Sequence, residues 1–133
     1  MYNEKVMNEF RSPANVGEVE NANAVGQVGN ASCGDIMKIT MRIENNIIEE
    51  VKFQTYGCAA AVATSSIATK MIKGKTVDEA LALTNREVID ELGGLPAQKI
   101  HCSVLAEGAI KAAIKNYLEN YKKEGAATET AVR

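Results

Sequence analysis

Met37-Lys38-Ile39-Thr40-Met41-Arg42-Ile43 alternates apolar and polar residues without a break, the period of two expected of a β-strand with one buried face. Glu44-Asn45-Asn46 follows with residues that tolerate positive φ, and Val51 and Phe53 then alternate with Lys52 and Gln54. Together these segments predict an antiparallel hairpin. Upstream, Pro13 to Ser32 is rich in Asn, Gly and Ala, and Val25 and Val28 are its strand-like apolar residues. It reads as an irregular arm with one further strand, which would complete a three-stranded antiparallel meander. Before it, Val6, Met7 and Phe10 recur at helical spacing between Asn3 and Phe10, and Ser12-Pro13 ends this opening helix because proline restrains the residue before it.

After Gly57 the period changes to about four. Ala63, Ile67 and Met71 form one row with Val62 beside it, and Gly74 stands where a helix would end. Thr76 with Glu79, and Thr84 with Glu87, each fit a capping box, so two short helices follow. Gly93-Gly94-Leu95-Pro96 is a loop, and Ser103 is placed to cap a last long helix whose Ile110, Ile114, Tyr117 and Tyr121 recur at helical intervals. A single domain over 1–125 is expected, with 126–133 a disordered tail that has nothing to bury.

With 46% hydrophobic and 24% charged residues in 133, the chain can build a real core. A formal net charge of −2 lacks the basic surplus that nucleic acid requires, so nucleic acid is not an expected partner. No apolar run approaches the roughly 20 residues that cross a bilayer, and Met1-Tyr2-Asn3-Glu4-Lys5 is unlike a signal peptide. A cytoplasmic protein with no membrane partner is expected. Three widely spaced cysteines argue for free or metal-bound thiols over a disulfide framework.

Taken singly, each cysteine reads as a small buried hydrophobe. Their settings differ from that: Cys33 precedes Gly34, Cys58 follows Gly57, Cys102 follows His101, and all three stand at element boundaries outside the apolar stripes. A helix start favours the thiolate, the form that binds metal and attacks electrophiles. Asp35 lies two residues from Cys33, so in extended chain the two point the same way; alone it reads equally as a turn or cap carboxylate. His101, the single histidine, reads more readily as a metal ligand than as a satisfied, partly buried imidazole, the more so for standing next to Cys102. Three thiolates with one imidazole or carboxylate suit zinc, or iron with sulfide. The spacing matches neither a zinc finger nor the tight cysteine run of a ferredoxin. A carboxylate among soft ligands suits a cluster that must leave.

Four blocks carry a resemblance to the IscU/NifU-type iron–sulfur cluster scaffold family. They are Ser12-Pro13-Ala14-Asn15-Val16-Gly17; Cys33-Gly34-Asp35-Ile36-Met37; Phe53-Gln54-Thr55-Tyr56-Gly57-Cys58 with Ala63-Thr64-Ser65-Ser66; and Leu95-Pro96-Ala97-Gln98-Lys99-Ile100-His101-Cys102-Ser103-Val104-Leu105-Ala106-Glu107. The resemblance implies an α+β fold, a small three-stranded antiparallel sheet with helices packed on one face. It implies a scaffold that builds a 2Fe-2S cluster from iron and sulfide, with a cysteine desulfurase supplying the sulfur as persulfide, and that passes the cluster to apo iron–sulfur proteins. By position, Cys33, Cys58 and Cys102 resemble the cluster thiolates, and Asp35 and His101 resemble candidates for the fourth ligand. Ala97-Gln98 replace the Pro-Val pair of the loop that bacterial members offer to an Hsp70-type chaperone, which counts against that partner. A homodimer is left open.

Two other functions compete. In one, zinc occupies the thiolates and the protein accepts persulfide, as in the SufU branch, which generally lacks the histidine retained here as His101. In the other, Cys102 and His101 form a nucleophile pair, but adjacent residues on a helix rarely aim at each other. A scaffold is not an enzyme in the strict sense: no residue is expected to be catalytic, and Cys102, at a helix start beside an imidazole, is the expected persulfide acceptor.

Overall fold

The computed structural model describes residues 3–30, 35–56, 59–97 and 100–128, with Asn30, Asp35, His101, Cys102 and residues 121–128 described by their backbone alone. Three strands, β1 (Ala24–Asn30), β2 (Asp35–Glu44) and β3 (Ile47–Tyr56), form an antiparallel sheet in the order β1-β2-β3. The hairpin between β2 and β3 turns on Asn45 and Asn46, both at positive φ (53° and 67°), the conformation that a two-residue turn needs if it is to match strand twist. A register shift between Arg42 and Ile43 adds a bulge close to this turn.

Five helices follow the expected order: α1 (Glu4–Arg11) before the sheet, then α2 (Ala59–Ile72), α3 (Val77–Leu81), α4 (Asn85–Glu91) and α5 (Ile100–Thr128). Both capping boxes form, Thr76 with Glu79 and Thr84 with Glu87. The alternating face of β2 is the core face, since Met37, Ile39, Met41 and Ile43 are all buried on the side of the sheet where α5 packs on β2 and α2 on β3. The opposite face is crossed by the arm between α1 and β1. Phe53 donates its N–H to Asn15 O (2.8 Å) and accepts from Gly17 N (2.9 Å), which pairs the arm with the edge of β3. The Val19 N–H then reaches Thr40 Oγ1 (2.9 Å) and Lys38 pairs with Glu18 (2.7 Å).

Three expectations are corrected. Of the two apolar residues that mark β1, Val28 packs against the core but Val25 is exposed, and the buried positions in phase with Val28 are Ala24 and Gly26, the latter lying close beneath α5. A Cβ on Gly26 would stand 2.3 Å from Ala113 N and 2.5 Å from Ala109 O. Ser103 does not cap α5, which starts three residues earlier at Ile100; its hydroxyl instead donates to Ile100 O at 2.7 Å within the first turn. The helix also runs past Gly125, so Ala126, Ala127 and Thr128 belong to α5 and not to the tail, while 129–133 lie outside the described residues.

Candidate metal centre

Helix α5 runs antiparallel to β1 and α2 antiparallel to β3, and their pacing brings both N-terminal turns to one end of the sheet. Along β1, Val25 N–H donates to Asn116 Oδ1 (3.0 Å), Gly26 lies under Ala109 and Ala113, and Val28 Cγ1 is 3.9 Å from a Cβ position on Gly108. Three residues of strand advance about 10 Å and eight residues of helix about 12 Å. Continuing at that rate to Asn30, the last residue of β1, brings α5 back roughly four residues further, to the region of Val104. The preceding turn, Ile100 to Ser103, therefore comes level with the end of the sheet. On α2, Thr69 Oγ1 accepts from Asn15 Nδ2 (3.1 Å) beside Phe53, and Ser65 Oγ donates to Met37 Sδ (3.0 Å). The same pacing sets the first turn of α2 level with Asp35.

That end of the sheet is defined by Asp35, the first residue of β2, opposite Asn30, and by Tyr56, the last residue of β3, opposite Ile36. Of the five candidate ligands, three have a described backbone here. Asp35 opens β2, in phase with Met37, and His101 and Cys102 are the second and third residues of α5. Cys33 and Cys58 lie outside the described residues. No group of three His, Cys, Asp or Glu side chains able to hold a metal ion occurs among the described residues. No described helix is long and apolar enough to cross a membrane.

The helix starts at this end differ from the others. α1, α3 and α4 each carry an acidic residue in the first turn, namely Glu4, Asp78 with Glu79, and Glu87. The first turns of α2 and α5 carry none. Their positive dipole ends favour an anion that comes near, a thiolate included. The first turn of α5 is also braced: Asn85, first residue of α4, donates its backbone N–H to Glu107 Oε1 (3.0 Å) and its amide to Ser103 Oγ (3.4 Å). Glu107 is fixed from its other oxygen by Lys111 (2.7 Å). Sequence reasoning missed Asn85 as a brace; an Asn directly after a cap residue was the available signal, and it is weak.

Residues 1–124 match the NifU-like N terminal domain model. The chain belongs to that family. Among its NifU-like relatives are the iron–sulfur cluster assembly scaffold protein IscU 1 of Archaeoglobus fulgidus, 54% identical over 125 residues covering 94% of this chain and 80% of the relative. IscU of Escherichia coli is 48% identical over 120 residues, 87% of this chain and 93% of that one. Among solved structures, one described as an iron–sulfur cluster assembly scaffold protein for the SUF system, from Fervidobacterium islandicum, superposes with a TM-score of 0.71 at 25% identity over 85% of this chain and 96% of its own. The N-terminal part of a NifU-like protein from Brucella abortus, TM-score 0.72 at 17% identity over 88% of this chain and 94% of its own, shares the fold. The NifU-like domain architecture is therefore the α+β arrangement that the resemblance implied, a three-stranded antiparallel sheet with helices on one face.

Proposed function

We propose that this protein is a scaffold on which an iron–sulfur cluster of the 2Fe-2S type is assembled and from which it is handed to apo-proteins. The observation that carries the reading is the convergence of two acid-free helix starts, α2 and α5, on the end of the sheet where Asp35 begins β2. Relatives about half identical in sequence are named as scaffolds for such assembly. In this reading Cys33, Cys58 and Cys102 are the cluster thiolates, and Asp35 or His101 supplies the fourth ligand. The domain runs to the end of α5 at Thr128. It works in the cytoplasm without catalytic turnover of its own, and its partners are a cysteine desulfurase and apo iron–sulfur proteins.

Sulfur arrives by thiol exchange. The Cys102 thiolate attacks the terminal sulfur of the desulfurase persulfide, one S–S bond forms as another breaks, and the desulfurase cysteine leaves as thiolate. No electrons are gained or lost in that step. Two helix starts lower the cost of holding thiolates before iron comes. A second reading has the same thiolates holding zinc and passing on sulfur instead of clusters; the likeness to a SUF-system protein is the observation on its side.

One anaerobic experiment separates these. The protein is incubated with a cysteine desulfurase and free cysteine, persulfide is mapped by mass spectrometry, and iron and a reductant are then added while the visible spectrum is followed. Cluster absorption with about two iron and two sulfide per site is expected, with Cys102 labelled first and each of Cys33→Ser, Cys58→Ser and Cys102→Ser losing most of the colour. Colourless protein carrying stoichiometric zinc would overturn the cluster reading in favour of the second.

A further inference from the structure

We infer that Asn3 is a positioning residue for the α5 side of the site, acting through the loop that joins α4 to α5. The basis is where the carbonyl groups left over at the end of α4 find their donors. A helix leaves its last four C=O groups without partners inside it. Here Val88 O accepts from Leu92 N (3.1 Å), Ile89 O from Gly94 N (2.9 Å) and Asp90 O from Gly93 N (3.0 Å). The next three acceptors used are met from α1. Glu91 O accepts from Lys5 Nζ at 3.5 Å, and Leu92 O and Gly94 O both accept from Asn3 Nδ2, at 2.9 and 3.3 Å. The same side chain caps α1, because Asn3 Oδ1 accepts from Val6 N at 2.9 Å. One amide thus starts one helix and finishes another 89 residues away.

The loop is shaped to receive it. Gly93 and Gly94 are both at positive φ (80° and 110°), and a Cβ on Gly93 would stand 3.2 Å from Asn3 Nδ2. Positive φ aims successive carbonyls where α1 can reach them, and the missing Cβ lets the amide come close. From Gly94 the chain needs only five more residues to reach Ile100, and then His101 and Cys102. At its other end α1 is tied to α2: Glu9 accepts from Ser66 Oγ (2.5 Å) and pairs with Lys70 (2.7 Å). Hence α1 bridges the helix that follows Cys58 and the loop that leads to Cys102, and Asn3 is the joint on the second side. Loosening Asn3 frees the loop without touching the sheet.

That the loop matters to a cluster rests on the scaffold reading given above, so the test has two arms. Asn3→Ser keeps an α1 cap but is too short to reach the two carbonyls; Asn3→Asp keeps the cap and replaces the donor by a carboxylate. In the metal-free protein, amide hydrogen exchange over residues 95–104 should quicken roughly fivefold in both variants, with β2 and β3 unchanged, as expected for loss of two partly exposed hydrogen bonds. After reconstitution with iron and sulfide, the cluster should be lost to a chelator several-fold faster, with an altered visible circular dichroism. Unchanged exchange over 95–104 in either variant would overturn the bridge. Faster exchange with unchanged cluster lifetime and dichroism would overturn the positioning role. If the wild-type protein takes up no cluster at all, the scaffold reading fails, and the exchange arm still decides whether Asn3 holds the loop.

Discussion

Gly26 has no side chain because α5 lies where one would go. Adding a methyl group puts it 2.3 Å from Ala113 N and 2.5 Å from Ala109 O, backbone atoms that move only if the helix moves. Gly26→Ala should therefore cost about 3 kcal/mol, the upper part of the range for overpacked cores, read as a lowered urea midpoint at unchanged slope. Gly108, across the same contact, is the control. Its added Cβ would meet only Val28 Cγ1 at an ordinary 3.9 Å, and it lies inside a helix, so Gly108→Ala should stabilise by about 0.5–1 kcal/mol. If both substitutions shift the midpoint alike, helix propensity rather than close approach governs this interface. The strand face under α5 was only partly legible in the sequence for the same reason: Val28 packs there and is apolar, but Ala24 and Gly26 are small and give no hydrophobic signal, and Val25, apolar too, is exposed.

Among the elements, the caps were the most legible. α4 buries one apolar side chain, Val88, so its Thr84–Glu87 box carries an unusual share of its stability. Thr84→Ala should cost about 1 kcal/mol and quicken exchange across Asn85–Glu91. It should also loosen Asn85 from Glu107, which Thr84→Ser would not. In the α3 box, the Thr76 backbone N–H, aided by the Thr76 hydroxyl and by Lys75, holds the Glu79 carboxyl below its ordinary 4.5. A depressed folded-state pKa stabilises the fold above the unfolded value, and that contribution disappears as pH falls through the folded one. Glu79→Gln, titrated by circular dichroism, should accordingly show a shallower acid limb below pH 4.5 than wild type. The Asn45-Asn46 turn and the alternation of β2 were equally plain in the residues, because both follow from local chemistry. The start of α5 was not: Ser103 is a good cap residue in isolation, but the helix begins at Ile100 and Ser103 is held by Asn85, a partner 18 residues away. Which residues are candidates for the site could be read from cysteine settings, whereas the pacing of α2 and α5 against the sheet is encoded by no local pattern.

Across the whole molecule, the expected ligands stand at widely separated points of the chain. Cys33 belongs to the connection between β1 and β2, Cys58 to that between β3 and α2, and Cys102 to the first turn of α5. An ion held by all three joins the hairpin to both long helices, so it binds the folded chain far better than the unfolded one and must raise stability by linkage. At a free metal concentration a hundred times the dissociation constant, the gain is about 2.7 kcal/mol, which for a domain of this size is a rise in melting temperature on the order of 10 °C. Zinc is a suitable probe because it brings no redox chemistry. Melted under reducing anaerobic conditions with and without zinc, the wild-type protein should show that rise. Cys33→Ser, Cys58→Ser and Cys102→Ser should each melt close to wild type without metal and lose most of the rise with it. A variant that keeps the full rise would remove its cysteine from the shared site. A rise that persists in all three would mean that zinc binds elsewhere, and the three connections would then have to be regarded as separate surfaces that meet for some purpose other than holding one ion.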